Sequence, residues 1–163
     1  LRAIVLDGAS SRDASHIAKD LFDASSEKLT AREVLSGINQ RLGHFALNGG
    51  ASTGTIIEIA SNRTIDVAHV TDSWAMALLR NEARYDPRVR EALTSMFNAV
   101  RNTPDGSGEG ILNGSQHMDQ YIHMLPQPLN VTDVAMILVG SDGARFPHET
   151  EKDPLYHEGF FSL

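Results

Sequence analysis

Thr53-Gly-Thr-Ile-Ile-Glu-Ile-Ala60, Ser61-Asn62-Arg63 and Thr64-Ile-Asp-Val-Ala-His-Val70 follow one another without a break. The outer runs are rich in β-branched residues and the middle three are turn formers. The stretch therefore predicts two antiparallel strands joined tightly. Thr71-Asp72-Ser73 interrupts the pattern and Ala75-Met-Ala-Leu-Leu79 resumes it, which extends the pair into an antiparallel meander. Upstream, Ala3-Ile4-Val5-Leu6 reads as a buried strand stopping at Asp7-Gly8. Downstream, Val134-Ala-Met-Ile-Leu-Val139 reads as a second buried strand stopping at Asp142-Gly143.

Helices fill the intervals. Ile17, Ala18, Leu21 and Phe22 follow helical spacing behind Ser11 or Asp13 as N-cap. Thr30 and Glu33 form a capping-box pattern, and Val34, Ile38, Leu42 and Phe45 line one face before Asn48-Gly49-Gly50 breaks the helix. Asp86-Pro87 starts a third helix with Val89, Leu93, Phe97 and Val100 as its buried stripe. Asn102 to Gly110 is loop-like, Ser115 to Leu125 reads as a short helix with Met118, Ile122 and Leu125 inward, and a polar tail follows Phe146. Strands with helices segregated from the meander predict an α+β domain of sheet and helix layers.

Composition bounds the function. The chain has 163 residues, 14 Lys+Arg against 21 Asp+Glu, a net charge of −7 and no cysteine. That length fits one domain with a proper core, taken as 1–163. Absence of cysteine excludes a disulfide framework, a zinc ribbon and a thiol nucleophile. The negative charge argues against a nucleic-acid partner, and no run approaches the roughly 18 apolar residues of a membrane span. With no disulfides and no recognisable signal segment, a cytoplasmic location is expected. The first residue is Leu1 and not Met, so a processed product or a fragment is expected.

Asp7 and Asp142 each sit at the C-terminal end of a predicted strand, followed by glycine. Asp-Gly is a favoured turn pair, and either one alone reads as a turn. Asp72, between two strands, alone reads as an Asx turn. Three aspartates at strand ends nevertheless make a plausible oxygen cage for Mg²⁺ or Mn²⁺, and a glycine lets its carbonyl approach a cation unobstructed.

The motifs occur in a definite order: Leu6-Asp7-Gly8; Gly50-Ala-Ser-Thr-Gly-Thr55; Val70-Thr-Asp-Ser73 followed by Leu78-Leu79-Arg80-Asn81; Ile137-Leu-Val-Gly-Ser-Asp-Gly143. In that order they resemble the metal-dependent protein phosphatases of the PPM (type 2C) family over roughly residues 1–146. The resemblance implies a four-layer αββα sandwich of two antiparallel sheets flanked by helices. It implies a dinuclear Mg²⁺/Mn²⁺ centre, with Asp7 bridging both metals, the Gly8 carbonyl on one and Asp142 on the other. Asp72 matches an aspartate used near a third, weaker metal. The implied activity is hydrolysis of phosphoserine or phosphothreonine in a phosphoprotein by a metal-activated water, with Asp7 and Asp142 acting catalytically through it.

The pattern also departs from the family. Six residues precede Asp7, and neither the family's acidic residue nor its phosphate-binding arginine is identifiable among them. Asp153, in Lys152-Asp153-Pro154, lacks the context of the family's terminal metal-binding aspartate. Ala9 stands where some members carry a histidine acid, and Trp74 replaces the arginine of the third motif. A trimmed fragment, a compact divergent member, and an inactive pseudophosphatase acting as a regulatory or phosphoprotein-binding module all fit these departures. Other candidates read more simply. The tail carrying His148 and His157 is solvated, Gly106 to Gly110 is a flexible loop, and His69 and Trp74 are structural. Ser73 lacks a nucleophile-elbow context, and the sequons at Asn62, Asn113 and Asn130 carry little weight.

Overall fold

Residues 1–9, 12–45, 50–70, 73–80, 104–105, 110–125 and 127–141 are described by the structure, a computed structural model. In chain order they form β1 (Arg2–Ala9), α1 (Arg12–Asp23), α2 (Ala31–Leu42), β2 (Ala51–Ile59), β3 (Thr64–Val70), β4 (Trp74–Leu79), a 3-10 turn (Met118–Tyr121), β5 (His123–Met124), β6 (Leu129–Asn130), a second 3-10 turn (Val131–Asp133) and β7 (Val134–Gly140). The helix expected over 86–100 and the polar tail lie outside the described residues, as does most of the 102–110 loop.

A five-stranded antiparallel sheet runs β1-β2-β3-β5, with β6 also paired to β3, and β4 pairs with β7 in a separate two-stranded sheet. The β2–β3 hairpin forms where the sequence predicts it. Arg63 takes a positive φ of 65° at the turn, and the Asn62 Oδ1 accepts the Thr64 N–H at 3.2 Å and hydroxyl at 2.7 Å. The expected meander, however, divides after β3. Between Val70 and Ser73 the chain passes to the other sheet, where β4 finds β7.

Two apolar clusters hold the layers. α1 and α2 cover one face of the large sheet, burying Leu21, Val34, Leu35, Ile38 and Leu42 against Ile56, Ala68 and Val70. The other face packs on the small sheet through Ile57, Ile65, Val67, Ala75, Ala77 and Val134. Alternation along β2 explains the division, since successive side chains point to opposite faces. Removing one such side chain, as in Leu35→Ala, costs about 2–5 kcal/mol.

The capping box forms as predicted. Thr30 accepts the Glu33 N–H, and the Thr30 N–H and hydroxyl donate to the Glu33 carboxylate, which holds that carboxyl below its ordinary pKa. Phe45 departs from expectation: it falls beyond the helix and is 47% exposed. The helix expected over Ser115 to Leu125 is reduced to the single 3-10 turn Met118–Tyr121. The segment is tied to α2, whose Asn39 amide donates to the Ser115 carbonyl at 2.8 Å and whose Arg32 donates to the Asp119 and Ile122 carbonyls. His123–Met124 then pairs with β3, so tertiary bonding overrides the helical spacing. Met118 and Ile122 are buried all the same, while Leu125 packs partly buried on the inter-sheet cluster.

β1 and β7 are less buried than their apolar runs suggest. Among the described residues β1 is a sheet edge, with Ala3 exposed and its neighbours half-buried. β7 buries Val134 but exposes Ala135 and Met136. An uninterrupted apolar run does not distinguish an edge from a centre.

At the end of the large sheet far from Asp7, Asp66 lies directly opposite Glu58. Burial, joined by the Glu58 charge and opposed by the Val67 N–H, raises the Asp66 carboxyl above its ordinary value of 3.8. A raised carboxyl binds its proton more tightly folded than unfolded, so it favours folding at low pH and opposes it as pH rises through the folded value. Asp66→Asn is therefore expected to melt higher than wild type at pH 7, with the gain shrinking as pH falls toward 3.8 and below; melting curves over that range check it.

Candidate metal centre

The register of β1 on β2 determines where Asp7 points. Asp7 lies directly opposite Thr53, and Gly8 opposite Ser52. Directly opposed residues share a face, with Cβ atoms about 5 Å apart. Ile4 and Leu6 pack on the helices, so Asp7 faces the small sheet together with Thr53. Asp7 is half-buried.

The same register leaves the Gly8 carbonyl unused by the β1–β2 ladder. Ser52 exchanges both of its backbone hydrogen bonds with Leu112, at 3.0 and 2.8 Å, on the side away from β1. Gly8 and Ser52 are thus a non-hydrogen-bonded pair, and the Gly8 carbonyl is directed away from β2, to a side of β1 that has no strand partner among the described residues. Gly8 is exposed there. The Ser52 hydroxyl donates across to the Asp7 carbonyl at 2.9 Å, which ties this end of β1 down.

A second link brings in the small sheet. The Thr53 Oγ1 and Ser73 Oγ lie 2.6 Å apart, both buried. Ser73 immediately precedes β4, whose first residue, Trp74, pairs with Gly140 at the end of β7. One end of the two-sheet stack therefore collects Asp7, Thr53, Ser73 and Gly140. Asp72 is the chain neighbour of Ser73 and Asp142 lies two residues beyond Gly140; both aspartates are outside the described residues, so the structure describes the positions flanking them.

The space between the sheets changes character along its length. At the far end it is filled by Ile57, Ile65, Val67, Leu129 and Val134. Toward Asp7 it becomes polar, with Thr53, Thr55, His69 and Ser73 all buried. Thr55 and His69 are direct partners one row in from Asp7, and the His69 ring stacks on His123 of β5 with centroids 5.0 Å apart. Thr55 is fully buried, and its hydroxyl has no hydrogen-bond partner among the described residues.

Asp7 and the Gly8 carbonyl suit a hard cation: both are oxygen donors, they are adjacent in the chain, and they adjoin a polar interior. No group of three or more His, Asp or Glu side chains able to hold a metal occurs among the described residues, where Asp7 is the one expected carboxylate. Arg2 does not serve as an anion-binding arginine here. Its guanidinium donates to Glu58 at 2.9 Å and to the Ser26 and Glu27 carbonyls, on the helix side and at the opposite end of β1. The second Glu58 oxygen accepts the Ala31 N–H, so the pair fastens the start of α2 to the sheet. The residues that sequence reasoning passed over are Thr53 and Ser73. Their signal was a hydroxyl at the start of each of two strands, on positions that face a common interior.

Removing the Thr55 hydroxyl tests the description of this interior. Thr55→Val keeps the shape and deletes a buried polar atom, so it is expected to stabilise by about 1 kcal/mol. Urea denaturation checks this, and a loss of stability would show that the hydroxyl is satisfied.

No protein-family model matches the sequence, and no curated protein matches it. Solved structures do. A stage II sporulation E family protein from Thermanaerovibrio acidaminovorans superposes with a TM-score of 0.59 at 14% identity, over 86% of this chain and 75% of that one. A bacterial serine phosphatase superposes with a TM-score of 0.62 at 14% identity, over 96% of this chain and 71% of that one. Against these and two variants of a bacterial serine phosphatase, the chain spans 63% to 75% of the neighbour's length. The motif order that resembles the PPM phosphatases is thus carried on a mixed α+β fold like that of SpoIIE-family and bacterial serine phosphatases.

Proposed function

We propose that this chain is a metal-dependent phosphoprotein phosphatase domain that hydrolyses phosphoserine or phosphothreonine. The observation that carries the reading is the placement of Asp7 on the inter-sheet face, opposite Thr53, whose hydroxyl meets that of Ser73 at the start of the small sheet. In this reading Asp7, the Gly8 carbonyl and Asp142 hold two Mg²⁺ or Mn²⁺ ions, and Asp72 serves a third. Divalent cations held there supply Lewis acidity and an acidified water to phosphoester hydrolysis. The chain's own part is to fix the carboxylates at rigid strand ends and to back them with buried hydroxyls. The absence of cysteine agrees with a route that has no thiol intermediate.

The reading extends to a four-layer αββα sandwich and to a single domain over residues 1–163. It also extends to a cytoplasmic location, on the strength of the cysteine-free composition. Among the described residues no helix is long and apolar enough to cross a membrane.

A second reading, an inactive relative that binds phosphoproteins, is favoured by one observation: Arg2, the arginine that precedes Asp7 on the same strand, is engaged with Glu58 and two carbonyls. Turnover separates the two. Hydrolysis of a phosphoserine peptide is expected to rise with Mn²⁺ and saturate, and Asp7→Asn and Asp142→Asn are each expected to lower it by about 100-fold or more. Peptide binding without turnover at any Mn²⁺ concentration would favour the binding module.

A further inference from the structure

We infer that Thr53 and Ser73 are positioning residues for metal binding. Their paired hydroxyls lock the Asp7 end of the large sheet to the segment of the small sheet that adjoins the other two aspartates. The inference rests on the function proposed above and deepens it.

The pair is placed for this role on both sides. Thr53 is the direct β-partner of Asp7, so moving one moves the other. Ser73 leads into Trp74, the partner of Gly140, and the chain beyond Gly140 continues through Ser141 to Asp142. Asp72 precedes Ser73 directly. A single contact at 2.6 Å thus sets Asp7 against the anchors of both other carboxylates.

The rest of the interface does not supply that precision. Ile57, Val67, Ala75 and Ala77 pack the sheets by non-directional apolar contact, which tolerates small sliding motions. A hydroxyl–hydroxyl bond is directional and short, and it lies in a water-excluded layer where losing one partner strands the other. Burial also argues against a nucleophilic role for Ser73. It is 0% exposed, and its Oγ faces the Thr53 hydroxyl.

Outer groups that orient metal ligands typically change metal affinity by about 10–100-fold when removed. The test is Mn²⁺ titration calorimetry on the full chain with wild type, Thr53→Val, Ser73→Ala, the double variant, Thr53→Ser and Thr55→Val. Expected are a Kd weakened about 10–100-fold in either single variant and a double variant no weaker than the worse single. Thr53→Ser, which restores the hydroxyl, is expected to recover wild-type affinity, and hydrolysis at saturating Mn²⁺ to recover in every variant.

Thr55→Val is the control, the same chemical change on the same face of the same strand, and its Kd is expected to be that of wild type. Wild-type affinity in both Thr53→Val and Ser73→Ala would overturn the inference and leave the proposed function standing. Equal weakening in Thr55→Val would overturn it too, because the effect would then belong to the strand. If wild type itself binds no Mn²⁺, or binds it equally well as Asp7→Asn, the proposed function fails and this inference fails with it. Should Thr53→Val not fold, Ser73→Ala and Thr53→Ser carry the same comparison.

Discussion

The ladder along β2 is the constraint on which the rest depends. β2 is bonded to β1 on one side and to β3 on the other, and where β3 ends Leu112 takes up the exchange with Ser52. Its two faces are committed to different cores, Ile56 to the helices and Ile57 to the second sheet. A slip of one residue would exchange those faces and bury Glu58 and Ser52 in the wrong layer. With the register so fixed, Asp7 has one position available, opposite Thr53 and facing the small sheet. The chemistry proposed for this chain follows from a strand held in register by its neighbour.

The two ends of that strand do different work. At the Arg2 end, an ion pair and three backbone contacts join β1, β2 and the start of α2, a structural clasp on the helix side. At the Asp7 end the alternation of the ladder turns the Gly8 carbonyl away from β2, and the neighbouring interior is polar. A fully apolar interlayer would bind the sheets as well and would offer a cation nothing. Buried hydroxyls cost stability unless paired, and Thr53 and Ser73 meet that cost by pairing with each other. Their retention at the end that carries Asp7 is what an oriented ligand set requires.

Local chemistry was the legible part of the sequence. The Thr30 capping box, the Ser61-Asn62-Arg63 turn and the strand pair around it are short-range patterns, and each forms as read. The three Asn-x-Ser/Thr triplets find their explanation here too: at Asn62, Asn113 and Asn130 the side-chain oxygen accepts the N–H two residues on, so the spacing is turn chemistry. Tertiary choices were not legible. Nothing within residues 115–125 reveals that Arg32 and Asn39 on α2 will take up carbonyls of that segment, or that its end will pair with β3. Apolar runs likewise could not reveal that β1 and β7 are only partly buried, nor that β4 would leave its neighbours for a second sheet. Of the site, the Asp-Gly motif and its order among the others were readable. The hydroxyl pair between the sheets was not, because its partners are 20 residues apart and meet across two layers.

The central claim is that the Asp7 end of this two-sheet stack is a dinuclear metal centre. Anomalous diffraction from Mn²⁺-soaked crystals tests it most directly. The account predicts two peaks about 3.5–4 Å apart beside the Asp7 carboxylate and the Gly8 carbonyl, at the end shared with Ser73 and Gly140. A strand end free of anomalous signal at saturating Mn²⁺, or peaks confined to other surfaces, would contradict it.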